Sequence, residues 1–121
     1  MDWIILAITL ALLIAYISLR RKGQISADQA VAHLKSGALL IDVRSPAEYS
    51  TGHLKGAINI PLQEIDSRIG GHVKDKNQVL LLHCQSGTRS GTAKNQLNAL
   101  GYTGAYNLGS YDRAAHIVNR A

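Results

Sequence analysis

Residues 80–91, with the sequence LLLHCQSGTRSG, decide how the rest of this chain can be arranged. Their three leucines, with Val79 before them, form an apolar run that predicts a buried strand. The run ends at His83 and Cys84, and Cys84 is the only cysteine of the chain. A short polar loop follows, and a helix is predicted over residues 90–100. Cys84 is therefore expected at the point where a buried strand leads into a helix N-terminus.

The position predicted for Cys84 favours a reactive thiolate. A helix N-terminus presents unpaired backbone N–H groups and the positive end of the helix dipole, and a tight loop can direct further N–H groups inward. With Arg89 nearby, such surroundings lower the pKa of a thiol from about 8.5 to about 3.5–7.5. The alternative is an inert buried cysteine, which is common. Four features indicate the reactive alternative, namely the strand end, Gly87, Arg89 and the following helix. We therefore interpret Cys84 as a catalytic nucleophile.

The composition of the 121-residue chain limits the possible function classes. The length suits one small domain plus an anchor. A single cysteine excludes an intramolecular disulfide framework and suits a reducing compartment. The net charge is +5, and residues 20–22 alone supply three positive charges. No stripe of Lys and Arg interleaved with aromatic residues occurs in the sequence, so we predict no nucleic-acid binding.

The first segment of the chain has the pattern of a membrane span. Residues 3–19 contain no charged residue, and ten of these seventeen are Ile or Leu. As a helix they would span roughly 26 Å, slightly less than the ~30 Å hydrocarbon core, and snorkelling by Arg20 can close the gap. Trp3 and Tyr16 lie near the ends, as interfacial anchors do. We therefore predict that residues 1–22 form a transmembrane anchor with a basic collar, which binds the membrane through residues 3–19.

Two alternatives to a retained anchor are open. A cleaved signal peptide has a basic segment before its apolar run and a small-x-small cleavage site after it, whereas here only Asp2 precedes the run and the basic residues 20–22 follow it. A buried core helix is apolar along one stripe rather than on all sides. By the positive-inside rule, residues 20–22 predict that the following domain faces the cytoplasm. The expected location is a bacterial inner membrane, crossed once.

Residues 23–121 alternate predicted helices and strands with short connections, which predicts a separate domain. Ser26 is placed to cap the first helix. Helices are predicted over residues 27–36, 46–49, 62–71, 90–100 and 110–119, and strands over residues 38–43, 57–60, 78–83 and 105–108. This alternation predicts a three-layer α/β domain with a mostly parallel central sheet flanked by helices. Ligands of such sheets bind beyond the carboxyl ends of the strands, where Cys84 is expected.

Three segments of the chain resemble a known family. Residues 83–90, HCQSGTRS, are similar to the active-site loop of single-domain rhodaneses, which are sulfurtransferases. Residues 42–49, DVRSPAEY, match the family signature D-V-R-x-x-x-E-[YF]. Residues 52–61, GHLKGAINIP, match the signature G-H-[IL]-x-G-A-x-[NH]-[IV]-P. The segments stand in the family's order, and the resemblance covers roughly residues 24–121.

The resemblance implies a rhodanese-like fold and the transfer of a sulfane sulfur without a cofactor. Cys84 would attack the outer sulfur of a donor such as thiosulfate or a persulfide, become a persulfide, and pass the sulfur to a thiol or cyanide-like acceptor. Gly87 is expected to allow a backbone turn that larger residues resist. Arg89 either pairs with an anionic donor or braces the loop. The predicted substrate-binding residues are those of the loop, namely Gln85, Ser86, Gly87, Thr88, Arg89 and Ser90.

Residues outside the loop are interpreted as structural. Asp42 and Arg44 are expected to support the loop behind Cys84 by charged hydrogen bonds that Glu48 can join, and a role of Asp42 as a catalytic base is the alternative. His83 precedes Cys84 in the strand, so its side chain is expected on the opposite face as a satisfied core histidine. The other histidines show no metal-ligand spacing, and no metal site is predicted.

Two other classes of cysteine enzyme are disfavoured, one by the spacing of the loop and the other by the number of cysteines. Cysteine-based protein phosphatases use C-x5-R, a ring wide enough for the oxygens of a phosphate. Cys84 and Arg89 give C-x4-R, and this smaller ring fits a terminal sulfur better. An arsenate-reducing role is also conceivable, but the sequence has no second cysteine to resolve the intermediate.

Two further functions are compatible with the sequence to different degrees. The short linker Gly23-Gln24 is compatible with a sulfur-carrier or docking module for a membrane-associated protein partner. A non-catalytic binding domain is disfavoured because Cys84 is intact.

The C-terminal segment departs from the family pattern. The family usually ends in L-x-G-G followed by Trp, whereas residues 108–111 are LGSY, with Ser110 at the second glycine. The packing of this segment cannot be predicted from the family pattern.

Overall fold

The protein is described by a computed structural model that covers residues 1–21 and 23–121. Lys22 and the side chains of Arg20 and Arg21, which form the predicted basic collar, lie outside the described residues. The helices are α1 (Asp2–Arg21), α2 (Ala27–Lys35), α3 (Pro46–Thr51), α4 (Ile65–His72), α5 (Thr88–Ala99) and α6 (Tyr111–Arg120). The strands are β1 (Leu39–Asp42), β2 (Ile58–Asn59), β3 (Leu80–His83) and β4 (Ala105–Gly109).

The four strands form one parallel sheet in the order β2-β1-β3-β4. Leu81 of β3 lies between Leu40 of β1 and Tyr106 of β4. All four carboxyl ends therefore lie at one edge of the sheet, and β3 occupies a central position. Since β3 is covered on both faces, its sequence is a continuous apolar run rather than an alternating one.

Alternate residues of β3 divide the core between the two faces of the sheet. Leu80, Leu82 and Cys84 pack with α4 and α5, whereas Leu81 packs with α2 and α6. The three leucines are fully buried, and each contributes about 1.5–3 kcal/mol to the free energy of folding. This arrangement confirms the predicted three-layer α/β architecture with a parallel sheet.

The helix predicted over residues 62–71 begins later than expected. Leu62–Glu64 form a 3₁₀ turn, and α4 begins at Ile65. The backbone N–H of Leu62 donates to Val43 O at 3.1 Å, and Glu64 lies at φ −109° and ψ 1°, outside the α-helical region. The chain thus remains hydrogen-bonded to the residue that follows β1 before the helix can start.

Helix α1 extends for 20 residues, or about 30 Å at a rise of about 1.5 Å per residue. The segment Asp2–Leu19 is long and apolar enough to cross a membrane, and none of it is buried within the structure. Length and composition alone support this assignment, and a signal sequence would pass the same criteria.

We expect Gly104→Ala to destabilise the domain by about 1–3 kcal/mol through overpacking. A Cβ atom at Gly104 would lie 2.5 Å from Gln78 O, and Gly104 O accepts the hydrogen bond that pairs it with Leu80 N–H at 2.8 Å. The backbone at this point therefore has no room to move.

Gly70→Ala provides the matched control, because no described atom beyond the neighbouring backbone of α4 lies within 4 Å of the position of its Cβ. This substitution should stabilise the domain by about 0.5–1 kcal/mol, since alanine is the better helix former. The measurement is the urea midpoint of the full-length protein in a mild detergent. Equal midpoints for the two variants would contradict the prediction.

Candidate active site

The loop after β3 turns sharply at Gly87, as predicted from the sequence. Gly87 has φ +93° and stands immediately before α5. A Cβ atom at this position would lie 3.3 Å from the carbonyl carbon of Gly109, in a backbone conformation that only glycine adopts readily. On the other side of the loop, Cys84 N–H donates to Gly109 O at 3.3 Å. The end of β4 thus holds both ends of the loop.

The sulfur of Cys84 is fully buried at the base of this loop. Gly87 N–H donates to Sγ at 3.0 Å, and the Ser90 hydroxyl lies 3.4 Å from Sγ. Burial raises the pKa of the Cys84 thiol, but hydrogen bonds from Ser90 and from the backbone N–H groups of Ser86 and Gly87 outweigh it. The pKa of the thiol is therefore lowered overall, as a nucleophilic cysteine requires.

Asn107 is a site residue that the sequence analysis missed. Its Nδ2 donates to Gly87 O at 3.1 Å, while its Oδ1 accepts from Gly109 N–H at 2.9 Å and from the Ser90 hydroxyl at 2.7 Å. The Ser90 hydroxyl has one proton, so Asn107 Oδ1 and Cys84 Sγ compete for it. No feature of a lone asparagine in a strand indicates this role in the sequence.

We expect Ser90→Ala to raise the pKa of the Cys84 thiol. The variant removes the side-chain donor that favours the thiolate, so the midpoint of thiolate formation should move to higher pH. The measurement is the pH dependence of the rate at which Cys84 reacts with iodoacetamide. Ser86→Ala is the matched control, because its hydroxyl is exposed and its backbone N–H remains. A midpoint that is unchanged in Ser90→Ala, or raised equally in Ser86→Ala, would contradict the prediction.

Arg89 forms a two-point ion pair with Glu48. Its Nη1 and Nη2 atoms lie 2.6 and 2.9 Å from the two carboxylate oxygens of Glu48. Arg89, and secondly the backbone N–H of Ser45, lower the pKa of Glu48 to about 2. Ser45 and Glu48 also form a capping box at the start of α3. Glu48 therefore contacts the loop through Arg89, and this geometry favours the bracing interpretation of Arg89.

Asp42 and Arg44 form a buried ion pair behind the loop. The Asp42 carboxylate accepts from Arg44 Nε at 3.0 Å and from Nη2 at 2.8 Å, and Asp42 is fully buried. The Arg44 guanidinium lies 4.8 Å from the centre of the Tyr111 ring, and Tyr111 N–H donates to Gln85 O at 3.2 Å. The pair is thus connected to the loop through Tyr111. Both carboxylate oxygens of Asp42 already accept hydrogen bonds, which favours its structural interpretation over that of a base.

His83 is buried in the core as predicted, but the expectation of a satisfied histidine is wrong at one of its two ring nitrogens. Its Nδ1 lies 3.4 Å from Cys84 O, whereas its Nε2 has no hydrogen-bond partner among the described residues and lies 3.7 Å from Asp42 Oδ2. Burial lowers the pKa of His83, which favours the neutral imidazole. The Arg44 guanidinium donates to both oxygens of the same Asp42 carboxylate.

The remaining loop residues form the rim of the site. The side chains of Gln85, Ser86 and Thr88 are exposed. Ser86 also pairs with Ser110, whose hydroxyl caps α6 by accepting from Arg113 N–H. The segment that departs from the family pattern therefore packs beside the loop. Within the described part of the chain, no cluster of three or more His, Cys, Asp or Glu side chains could hold a metal ion.

The fold and the site define an α/β domain with a cysteine in a C-x4-R loop at the carboxyl edge of a parallel sheet. The family model for the rhodanese-like domain matches residues 26–114. The chain therefore belongs to the rhodanese-like domain family. Its matched region is 48% identical over 69 residues to the thiosulfate sulfurtransferase PspE of Escherichia coli, covering 57% of this chain and 66% of PspE.

Solved structures agree with this assignment. A rhodanese from E. coli with bound anions has a TM-score of 0.62 and 43% identity, covering 64% of this chain and 91% of that one. The human single-domain sulfurtransferase TSTD1 has a TM-score of 0.65 and 31% identity, covering 78% and 96%. The chain spans 66% of the length of PspE and 55% of the length of two further curated relatives, from Bacillus subtilis and Saccharomyces cerevisiae.

Proposed function

We propose that this protein is a membrane-anchored sulfurtransferase that moves a sulfane sulfur from a donor such as thiosulfate to a thiophilic acceptor through a persulfide on Cys84. The observation that carries the proposal is the environment of Sγ, which lies 3.0 Å from Gly87 N and 3.4 Å from Ser90 Oγ with a lowered thiol pKa. The names of the sulfurtransferase relatives support it.

The first half-reaction loads the cysteine. The Cys84 thiolate attacks the outer sulfur of thiosulfate, a new S–S bond forms, the donor S–S bond breaks, and sulfite leaves with its electron pair. The terminal sulfur of the resulting persulfide carries the negative charge. We expect backbone N–H groups of the loop to stabilise this charge, because they are fixed before the reaction begins; those of Ser86, Gly87 and Ser90 already interact with the Cys84 thiol.

The second half-reaction returns the cysteine to its starting state. A thiolate or cyanide attacks the terminal sulfur, and the Cys84 thiolate leaves as the S–S bond breaks. In this mechanism Arg89 contributes indirectly, since its guanidinium is held by Glu48 and fixes the start of α5. Asp42 and Arg44 keep the rear of the loop in place through Tyr111.

The experiment that tests the proposal is intact mass spectrometry of the full-length protein after incubation with thiosulfate. We expect a gain of one sulfur atom that cyanide removes as thiocyanate. Because Cys84 is the only cysteine, prior alkylation of the protein is a complete control and should prevent the gain. Loading without release to any acceptor would instead support the sulfur-carrier function. A folded protein that gains no sulfur from thiosulfate or from a persulfide would refute the proposal.

The membrane part of the proposal concerns α1. Its apolar side chains are exposed, and no other part of the described structure covers them. A lipid bilayer is the occupant that fits a helix of this length that is apolar on all sides. We expect the protein to stay in the membrane pellet after alkaline carbonate extraction and to keep the mass of its full sequence. A soluble protein that lacks this segment would indicate a cleaved signal sequence.

A further inference from the structure

The side-chain amide of Asn107 is held in one orientation by the backbone on either side of it. Its Nδ2 donates to Gly87 O at 3.1 Å, and its Oδ1 accepts from Gly109 N–H at 2.9 Å. A reversed amide would place an acceptor against the carbonyl and a donor against the N–H. The atom that lies 2.7 Å from the Ser90 hydroxyl is therefore the acceptor Oδ1.

The Ser90 hydroxyl has one proton to donate and several acceptors around it. Asn107 Oδ1 lies at 2.7 Å, Gly87 O at 3.2 Å, Cys84 Sγ at 3.4 Å and Gly109 O at 3.5 Å. Ser90 and Cys84 are fully buried and Asn107 is 6% exposed, so the choice among these acceptors is made away from bulk solvent. While the sulfur is uncharged, Asn107 is the better acceptor, because a thiol sulfur accepts hydrogen bonds only weakly.

A negative charge on the sulfur changes which acceptor is preferred. Hydrogen bonds to an ionised acceptor are roughly twice as strong as those between neutral groups, and rotation about the Cβ–Oγ bond of Ser90 is enough to redirect the proton. In the proposed reaction Sγ carries the charge as the attacking thiolate and again as the leaving thiolate. In the persulfide the charge lies on the terminal sulfur instead. The preferred acceptor of the Ser90 proton therefore alternates during one turnover.

No charged side chain of the described residues takes part in this exchange. The titratable or charged groups of the elements around the sulfur are Arg89 with its partner Glu48, His83, the pair Asp42 and Arg44, and Tyr111. Within the described part of the chain, none of them forms a hydrogen bond with the side chain of Ser90 or Asn107. The substitutions tested below leave all of these groups in place.

We propose that Asn107 is a positioning residue that keeps the Ser90 proton away from Sγ until negative charge collects there. This inference rests on the proposed sulfurtransferase function. When the acceptor attacks the terminal sulfur, the new bond to that sulfur forms, the Sγ–S bond breaks, and its electron pair stays on Sγ. The Ser90 hydroxyl turns from Asn107 to the departing thiolate, and no proton moves from one heavy atom to another. Asn107 also limits stabilisation of the attacking thiolate, whose nucleophilicity falls as its pKa falls.

The first test is a double-mutant cycle on the full-length protein in a mild detergent. The readout is the pH dependence of the rate at which Cys84 reacts with iodoacetamide. Asn107→Leu removes the competing acceptor, so the pKa of the thiol should fall, opposite to the rise expected for Ser90→Ala. In Ser90→Ala/Asn107→Leu the leucine should have no further effect, because Asn107 acts through the Ser90 hydroxyl. A rise in Asn107→Leu, or a fall that persists without Ser90, overturns the proposal.

Asn107→Asp decides the question even if the leucine variant does not fold. A carboxylate oxygen accepts the Ser90 proton more strongly than the amide oxygen, so the pKa of the Cys84 thiol should rise. The rise should be larger in the presence of Ser90 than in the Ser90→Ala background. A fall overturns the proposal, and so does a rise of equal size in both backgrounds, because the charge would then act on the sulfur directly.

Asn59→Leu is the matched control for loss of bonds to the backbone. Its Nδ2 donates to the main-chain oxygens of Asp42 and Arg44, both at 2.9 Å, at the same edge of the sheet. Among the described residues this side chain forms no hydrogen bond with Ser90, so its loss should not lower the pKa of the Cys84 thiol. A fall equal to that in Asn107→Leu would show that loosening of the sheet edge is the cause and would overturn the proposal.

The two half-reactions give a second readout that loop loosening alone would not reproduce. Loading by thiosulfate and release to cyanide are measured as separate single turnovers, at a pH where Cys84 is fully ionised. Ser90→Ala should slow release about three- to tenfold, because the leaving thiolate loses a charge-assisted hydrogen bond, while loading does not slow. Asn107→Leu should instead slow loading about threefold and leave release unchanged or faster. Equal slowing of both steps in Asn107→Leu overturns the proposal.

The outcomes separate this inference from the function on which it rests. Failure of the wild-type protein to load sulfur refutes the proposed function, while the alkylation experiment still decides the role of Asn107. A wild-type protein that loads and releases sulfur, with variants that lack the opposite shifts, refutes the inference alone.

Discussion

Replacement of Cys84 by serine should reduce thiocyanate formation from thiosulfate and cyanide by at least about a thousandfold, the scale on which loss of a nucleophile acts. A serine hydroxyl of similar size keeps the packing at the base of the loop but cannot form a persulfide. Its pKa is also far too high for the hydrogen bonds from Gly87 and Ser90 to produce an alkoxide. The measurement is steady-state turnover of the full-length protein in a mild detergent.

Two controls make this result specific to the sulfur of Cys84. Circular dichroism and the urea midpoint should match those of the wild type, because the substitution removes no buried volume larger than the difference between sulfur and oxygen. Ser86→Ala removes an exposed hydroxyl but keeps the backbone N–H through which Ser86 interacts with the Cys84 thiol, so this variant should retain most of the activity. Turnover above a few per cent of wild type in pure Cys84→Ser would show that the thiol is not the nucleophile.

Asp42→Ala is expected to destabilise the domain strongly. Removal of one partner from a buried ion pair leaves the other charge buried without compensation and costs about 3–5 kcal/mol. Here the remaining charge is the guanidinium of Arg44, whose side chain is only 6% exposed. The variant should lower the urea midpoint of the full-length protein without changing the denaturant slope.

The double variant Asp42→Leu/Arg44→Met distinguishes this electrostatic cause from simple loss of volume. Replacing both charges by apolar side chains removes the need for compensation, so the double variant should be more stable than Asp42→Ala. If the double variant is as unstable as the single one, the cost arises from packing or from the Arg44 bond to Gly52 O rather than from an uncompensated charge.

The architecture was predictable because local patterns determine most of it. The continuous apolar run of β3 predicted a strand covered on both faces, and the alternation of elements predicted a parallel sheet. Boundaries were less predictable where a non-local bond decides them. The bond from Leu62 N–H to Val43 O delays the start of α4 to Ile65, and nothing in the sequence of residues 62–71 indicates it.

The site was predictable to the extent that it is contiguous in sequence. Gly87 shows the positive φ that its place in the loop implied, whereas the catalytic role of Cys84 and the contacts of the loop with substrate remain predictions. Contacts between residues distant in sequence were less predictable. Glu48 was expected to help support the loop through its family motif, but its ion pair with Arg89, 41 residues away, was not foreseen. Asn107, which reaches Ser90 from 17 residues away, was missed, because one sequence alone does not indicate which distant polar residues meet. For the same reason His83 could be placed in the core but its unsatisfied Nε2 could not be foreseen.

Glu48 has two structural roles, and together they restrict which residues positions 48 and 89 can accept during evolution. Its carboxylate caps α3 by accepting from Ser45 N–H and also holds Arg89 on the far side of the site. Many ion pairs can exchange their charges between two positions during evolution, but an arginine at position 48 has no acceptor to offer the start of α3. The acidic residue must therefore stay at position 48 and the basic residue at position 89. The polarity of the pair is fixed by a helix cap that has no part in the chemistry.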